Sequence, residues 1–140
     1  MKNNTKVLIV GINGFLGKEL SKFLKEKGVI VFGTTHTANI SNNIFQLKIG
    51  GSINKELLQN NFSSVVYLSH SATIEGEKLI DWYKKIFMIF KGRAVKQIYI
   101  SSYSAHKQAV SNYGKSKYKR ERFFIENNEY SISPGLIIGK

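Results

Sequence analysis

The sequence predicts an α/β domain built on a doubly wound parallel sheet, and three observations carry that expectation. Short apolar runs alternate with helical segments along the whole chain. The first run, Lys6–Val10, is continuously apolar after its lysine, as expected of a strand buried on both faces. A glycine-rich turn, Gly11-Ile-Asn-Gly14-Phe-Leu-Gly17, follows it directly and opens a helix. Strands alternating with helices imply βαβ units with right-handed crossovers. In such sheets ligands bind at the carboxyl ends of the strands, where the strand order reverses. Chemistry is therefore expected just after the first, fourth, fifth and sixth strands.

The elements follow in order. Residues 18–27 place Leu20, Phe23 and Leu24 at helical spacing, and Gly28 supplies the stop. Residues 29–32 read as a second strand. Residues 33–43, polar and rich in Thr and Asn, read as a loop with at most a short helix. Residues 44–49 form a third strand, 54–59 a brief helix, and 65–68 a fourth strand. Residues 75–91 form an amphipathic helix whose apolar side carries Leu79, Trp82, Tyr83, Ile86 and Ile89 with Phe90. Residues 97–101 are a fifth strand, 111–127 a helix, and Tyr130–Ile132 begins a sixth strand. No repeat or linker interrupts the pattern.

Composition bounds the function. A chain of 140 residues with 42% hydrophobic content fits one domain with one ordinary core. It is expected to be a cofactor domain that stops before a substrate domain. The absence of cysteine excludes disulfides, thiolate metal sites and cysteine nucleophiles, and is compatible with a cytoplasmic protein. The N-terminal apolar run is broken by Gly11, Asn13 and Gly14, which reads as a buried strand and not a signal peptide. The later run at residues 86–90 is too short to span a bilayer, so no membrane partner is expected.

The net charge of +12 raises nucleic acid as a partner. Yet 18 of the 21 basic residues are lysine, and only residues 115–122 (KSKYKRER) are dense in charge. The simplest reading is a solvated lysine surface with no specific nucleic-acid partner.

The glycine loop has a physical logic. A glycine allows the tight turn, another lets backbone approach a pyrophosphate, and a third permits close helix-on-strand packing. The helix N-terminus then points free N–H groups and a positive dipole end at the phosphates. Three glycines alone also serve plain turns, and only their place between first strand and first helix makes them specific. A P-loop is excluded, because Gly17-Lys18 is followed by Glu19. Gly11, Gly14, Phe15 and Gly17 together resemble the signature of the extended short-chain dehydrogenase/reductases, which include the nucleotide-sugar epimerases and dehydratases. The resemblance runs from this loop to Pro134-Gly135 and covers the cofactor-binding, Rossmann part of such enzymes.

That resemblance implies a nicotinamide dinucleotide cofactor held by Gly11, Asn13, Gly14, Phe15, Leu16 and Gly17. An acidic residue after the second strand usually binds the ribose 2′-OH of NAD. Here no Asp or Glu occurs between Glu26 and Glu56, and the strand leads into Thr35-His36. NADP is therefore preferred over NAD, with Thr35 and His36 near the 2′-phosphate, although His36 reads equally well as an ordinary loop residue. Where the family usually carries an aspartate for adenine, this chain has Gly50-Gly51-Ser52. After the fourth strand, Leu68 and Ser69 would flank the dinucleotide.

Tyr113 and Lys117 fit the pattern Y-x-x-x-K, which on a helix puts phenol and ammonium on one face. Lysine and the helix N-terminus both favour phenolate, which suits proton transfer. The bare pattern is equally a half-buried aromatic beside a solvated lysine. The resemblance adds Ser102, from the Tyr99-Ile-Ser101-Ser102 strand end, as the third catalytic residue, with Ser101 the next candidate. It gives Lys117 a second role on the nicotinamide ribose and places Pro134 and Gly135 against the nicotinamide. The chain departs from the family at Ala105-His106-Lys107, where V-Y-G is usual, and at Ser133, where an arginine commonly stands.

The implied function is hydride transfer on a nucleotide-sugar or similar carbonyl or alcohol substrate. The alternative is a non-catalytic NADP sensor or partner-binding module. The isolated chain is expected to bind cofactor without turning over a nucleotide sugar. Its apolar end at Leu136, Ile137 and Ile138 is expected to favour a homo-oligomer. His36, His70 and His106 have no metal-ligand spacing, so no metal is expected.

Overall fold

The computed structural model describes residues 5–36, 43–48, 51–68, 77–100, 112–127 and 129–132, with only the backbone described at 112–114 and 116. Along the chain lie β1 (Lys6–Val10), α1 (Phe15–Glu26), β2 (Ile30–Thr35), β3 (Ile44–Gln46), a 3-10 turn (Leu57–Gln59) and β4 (Phe62–Tyr67). They are followed by α2 (Glu77–Phe90), β5 (Ala94–Ile100), α3 (Asn112–Glu126) and β6 (Tyr130–Ile132).

The six strands form one sheet in the order β3-β2-β1-β4-β5-β6, and every neighbouring pair is parallel. The chain starts in the middle, works outward to β3, crosses back and works outward again to β6. The reversal falls between β1 and β4, so a crevice is expected at their carboxyl ends.

Alternating side chains divide the core into two layers. Leu8, Val10, Val65, Tyr67 and Tyr99 face one side, packed with Trp82, Tyr83, Ile86, Phe87 and Phe90 of α2 and Phe124 of α3. Val7, Ile9, Val31 and Val66 face the other, packed with Ile12 and with Leu20 and Leu24 of α1. Val7 to Val10 are all buried, which is why β1 reads as an unbroken apolar run. The larger layer is strongly aromatic. Tyr99 stacks on Phe124 at 5.3 Å, and Tyr83 meets the Tyr99 ring edge-on at 5.9 Å. The buried Gln97 amide is tied on both sides: the Tyr67 hydroxyl donates to Gln97 Oε1, and Gln97 Nε2 donates to the Phe87 carbonyl at 3.0 Å.

Several boundaries differ from the sequence-based ones. Helix α1 begins at Phe15 instead of residue 18, so Gly17 lies in its first turn. Strand β2 runs three residues further, to Thr35, because Gly33, Thr34 and Thr35 pair with β3, and Gly33 and Thr34 also pair with β1. Strand β4 begins at Phe62 and β5 at Ala94, both earlier than expected. The helix expected at 54–59 is reduced to the 3-10 turn. Among the described residues no helix is long and apolar enough to cross a membrane.

Candidate functional site

The loop after β1 is built around two close approaches. Gly11 takes φ of 94°, a backbone conformation that side chains disfavour. That turn aims the N–H groups of Gly11 and Ile12 at the Thr34 carbonyl, at 3.2 and 3.0 Å. The loop is thereby bonded to the end of β2. Gly17 then brings α1 against the turn, since a Cβ there would lie 2.5 Å from the Gly11 oxygen and 2.6 Å from the Ile12 oxygen.

Gly14 behaves differently. It occupies the N-cap of α1, and no side chain caps the helix there. A Cβ on Gly14 would meet nothing nearer than the Gly11 oxygen at 3.8 Å. The intrahelical ladder starts with the Lys18 N–H on the Gly14 carbonyl at 2.9 Å. The N–H groups of Phe15, Leu16 and Gly17 are thus the orphan donors of this end. Together with the helix dipole they make a seat for an anion such as a phosphate.

Asn13 and Thr35 brace this seat from below. Asn13 Nδ2 donates to Thr35 Oγ1 at 2.9 Å, linking the loop to β2 a second time. Thr35 is buried, at 3% exposure, whereas His36 beside it is exposed. The Thr35 hydroxyl therefore lies under the loop, and His36 is the side chain of this pair that opens to solvent. Leu68, at the end of β4, donates its N–H to the Val10 carbonyl at 2.8 Å, which sets it beside the loop across the strand-order reversal.

Two strands along, α3 presents Lys117. Its side chain is buried at 6% exposure, and its Nζ donates to the Ile100 carbonyl at the end of β5 at 3.3 Å. It also lies over the Tyr99 ring, 5.2 Å from the centroid. Burial, helped by the nearby Arg120 guanidinium, pushes Lys117 down from 10.5 to about 8. The backbone of Tyr113 lies in α3 one turn earlier, so the helix carries both positions on one face. The Tyr113 side chain and Ser69, Ser102, Pro134 and Gly135 lie outside the described residues, as do His70, His106 and the 136–138 segment.

The sequence reading missed three contributors. The Thr34 carbonyl takes both loop N–H groups, and no side-chain pattern signals that. Tyr99 is the ring on which Lys117 rests. Arg120, from the run taken as solvated charge, is buried at 1% exposure. Its spacing from Lys117 and Phe124 along one helical face could have signalled it.

The sequence matches no protein-family model and no curated protein. Solved structures do match in architecture. A dTDP-4-dehydrorhamnose reductase from Clostridium acetobutylicum is 22% identical with a TM-score of 0.74, over 97% of this chain and 55% of that one. Helicobacter pylori ADP-L-glycero-D-manno-heptose-6-epimerase is 18% identical with a TM-score of 0.73, over 93% of this chain and 54% of that one.

The chain has a Rossmann-like α/β fold. A short-chain dehydrogenase/reductase family oxidoreductase from Brucella ovis, solved with a partially ordered NAD, matches this Rossmann chain at a TM-score of 0.69 and 11% identity, over 97% of this chain and 85% of that one. The Rossmann chain spans about half the length of the reductase and the epimerase.

Proposed function

We propose that this Rossmann domain binds a nicotinamide dinucleotide, NADP in preference to NAD, for hydride transfer on a nucleotide-sugar or similar carbonyl or alcohol substrate. The observation that carries the reading is the seat at the N-terminus of α1. Gly17 is pressed under Gly11 while the Gly14 side stays open, at the place where the strand order reverses. The residues fit a dinucleotide there. The N–H groups of Phe15, Leu16 and Gly17 would take the pyrophosphate, and Gly11, Asn13 and Gly14 would shape its bed. The NAD in the Brucella ovis oxidoreductase supports the choice of ligand class.

The preference for NADP rests on charge. No carboxylate stands between Glu26 and Glu56 to bind a 2′-OH or repel a 2′-phosphate, and His36 is exposed beside the end of β2. Leu68 and Ser69 would flank the dinucleotide, with Pro134 and Gly135 on the nicotinamide side. Bound in this way, the dinucleotide supplies hydride exchange at nicotinamide C4. The chain's own residues supply the proton chemistry. Tyr113 would exchange a proton with the substrate oxygen, and Ser102 would donate a hydrogen bond to that oxygen. Lys117, fixed on the Ile100 carbonyl, would hold the phenol's proton affinity down and bind the nicotinamide ribose.

Equilibrium titration by NADPH and NADH fluorescence tests the reading. Saturable binding of both with NADPH the tighter is expected, and tighter NADH would overturn the preference. Tight binding in a protein that shows no Tyr113-dependent chemistry in any longer form would favour the sensor reading instead.

A further inference from the structure

Helix α3 carries two buried cations on its inner face, Lys117 and Arg120, and only the first belongs to the proposed acid/base set. Arg120 is 1% exposed, deeper than any other charged side chain among the described residues. Its guanidinium carbon lies 4.7 Å from the Tyr83 ring centroid and 5.4 Å from that of Tyr99. Lys117 Nζ lies 5.2 Å from the same Tyr99 centroid. One ring thus serves both cations, and Phe124 stacks on that ring from one turn further along α3. A planar guanidinium packs against aromatic rings better than an ammonium does.

We propose that Arg120 is a positioning residue for the Lys117 amine: its guanidinium, packed against both Tyr83 and Tyr99, fixes the ring on which Lys117 rests and places a second positive charge over that same ring. The proposal deepens the reading of Tyr113 and Lys117 as the acid/base pair, and it rests on that reading for its consequence.

The physical effect has a sign. A like charge over the same ring favours the neutral amine, so Lys117 gives up its proton more readily than burial alone would make it. This agrees with the lowered value of about 8, in which burial is the larger cause and Arg120 the second. The groups facing this pair are Tyr99 from β5, with the Ile100 carbonyl at its end, and Tyr83 from α2. The ion pair of Lys119 with Glu77 and the Lys84 ammonium over Phe123 also join α3 to α2, the ion pair at the exposed surface. The consequence for the proposed centre is an amine that trades its proton near pH 8.

The test is the Lys117 titration itself, followed by carbon NMR of the lysine ε-carbon in the cofactor-free protein and assigned with Lys117→Met. In Arg120→Met the Lys117 midpoint is expected to move up by roughly half to one pH unit. In Arg120→Lys, which keeps a cation, it stays near the wild-type value. A folded Arg120→Met with an unmoved midpoint overturns the proposal. If Arg120→Met does not fold, Arg120→Lys decides alone: a midpoint held low supports the proposal, and a return to the ordinary lysine value overturns it. The readout needs no dinucleotide and no turnover. A midpoint that follows residue 120 in a protein that binds neither NADPH nor NADH would uphold the positioning role and sink the dinucleotide reading separately.

Discussion

Gly17 lies so close beneath Gly11 that a Cβ at position 17 would sit 2.5 Å from the Gly11 carbonyl oxygen. The opposing atoms are backbone, which cannot rotate aside as a side chain would. Helix α1 and the end of β1 can approach this far only with a bare α-carbon between them. The proposed anion seat depends on that approach, because it sets the helix N-terminus against the turn.

Gly17→Ala is therefore expected to push α1 off the turn and to destabilise the fold by about 1–3 kcal/mol, the usual cost of overpacking. Urea unfolding of the two proteins measures it. An unchanged midpoint would mean that the backbone yields without cost.

The brace beneath the seat can be weighed by a double-mutant cycle. Asn13→Ala and Thr35→Val each remove one end of the 2.9 Å hydrogen bond, and Val keeps the branched shape that β2 wants. Each single change is expected to cost about 1 kcal/mol, with most of that lost only once in the double variant. Fully additive costs would show that the two side chains do not act together.

Lys117 gives a pH signature. Its folded value of about 8 lies below the ordinary 10.5 of the unfolded chain. Below pH 8 both states hold the proton, and the cost of burying the charge is fully present. As pH rises from 8 toward 10 the folded state sheds the proton first, so stability increases. The full effect is on the order of 3 kcal/mol. Above pH 10 the trend reverses, because burial holds Tyr67 neutral while the unfolded phenol ionises. Urea midpoints at pH 7 and 9.5 should differ in this sense for wild type and much less for Lys117→Met. A wild-type midpoint that falls over this interval contradicts the burial of Lys117.

The parts of this fold that were legible in the sequence are those where local pattern and packing agree. Val7 to Val10 are buried on both faces and look it. The glycines at 11, 14 and 17 are spaced by the turn they make. Where packing overrides pattern, the reading slipped. Gly17 is a poor helix former, so α1 was expected to start after it, yet the close approach to β1 draws it into the first turn. Gly33-Thr34-Thr35 has the composition of a loop and becomes strand because β1 and β3 both pair with it. The Thr35 hydroxyl accepts from Asn13 at 2.9 Å, a link between loop and strand that no local pattern signals. The run KSKYKRER reads as solvated charge, and helical spacing turns two of its cations, Lys117 and Arg120, inward onto tyrosines that lie far away in sequence.

Apart from Lys6 and Lys117, the described lysines are exposed. On α1, Lys18, Lys22 and Lys25 are exposed, as are Lys84, Lys85 and Lys91 on and after α2. Charge spread in this way should bind duplex DNA weakly, with binding lost at physiological salt as counterions are released. A gel-shift series in rising salt checks this. Sequence-selective retention at physiological salt would promote nucleic acid to a real partner.

The central claim is that the N-terminus of α1 seats a dinucleotide pyrophosphate, and Gly14 is the position that isolates it. A Cβ there meets only an ordinary contact at 3.8 Å within the protein, so Gly14→Val should keep the fold while filling the space above the loop. Calorimetric titration with NADPH is the direct measurement. Binding of one dinucleotide per chain to wild type, and no detectable binding to a folded Gly14→Val, is the predicted result. No heat with wild type, or equal affinity in both proteins, would contradict it.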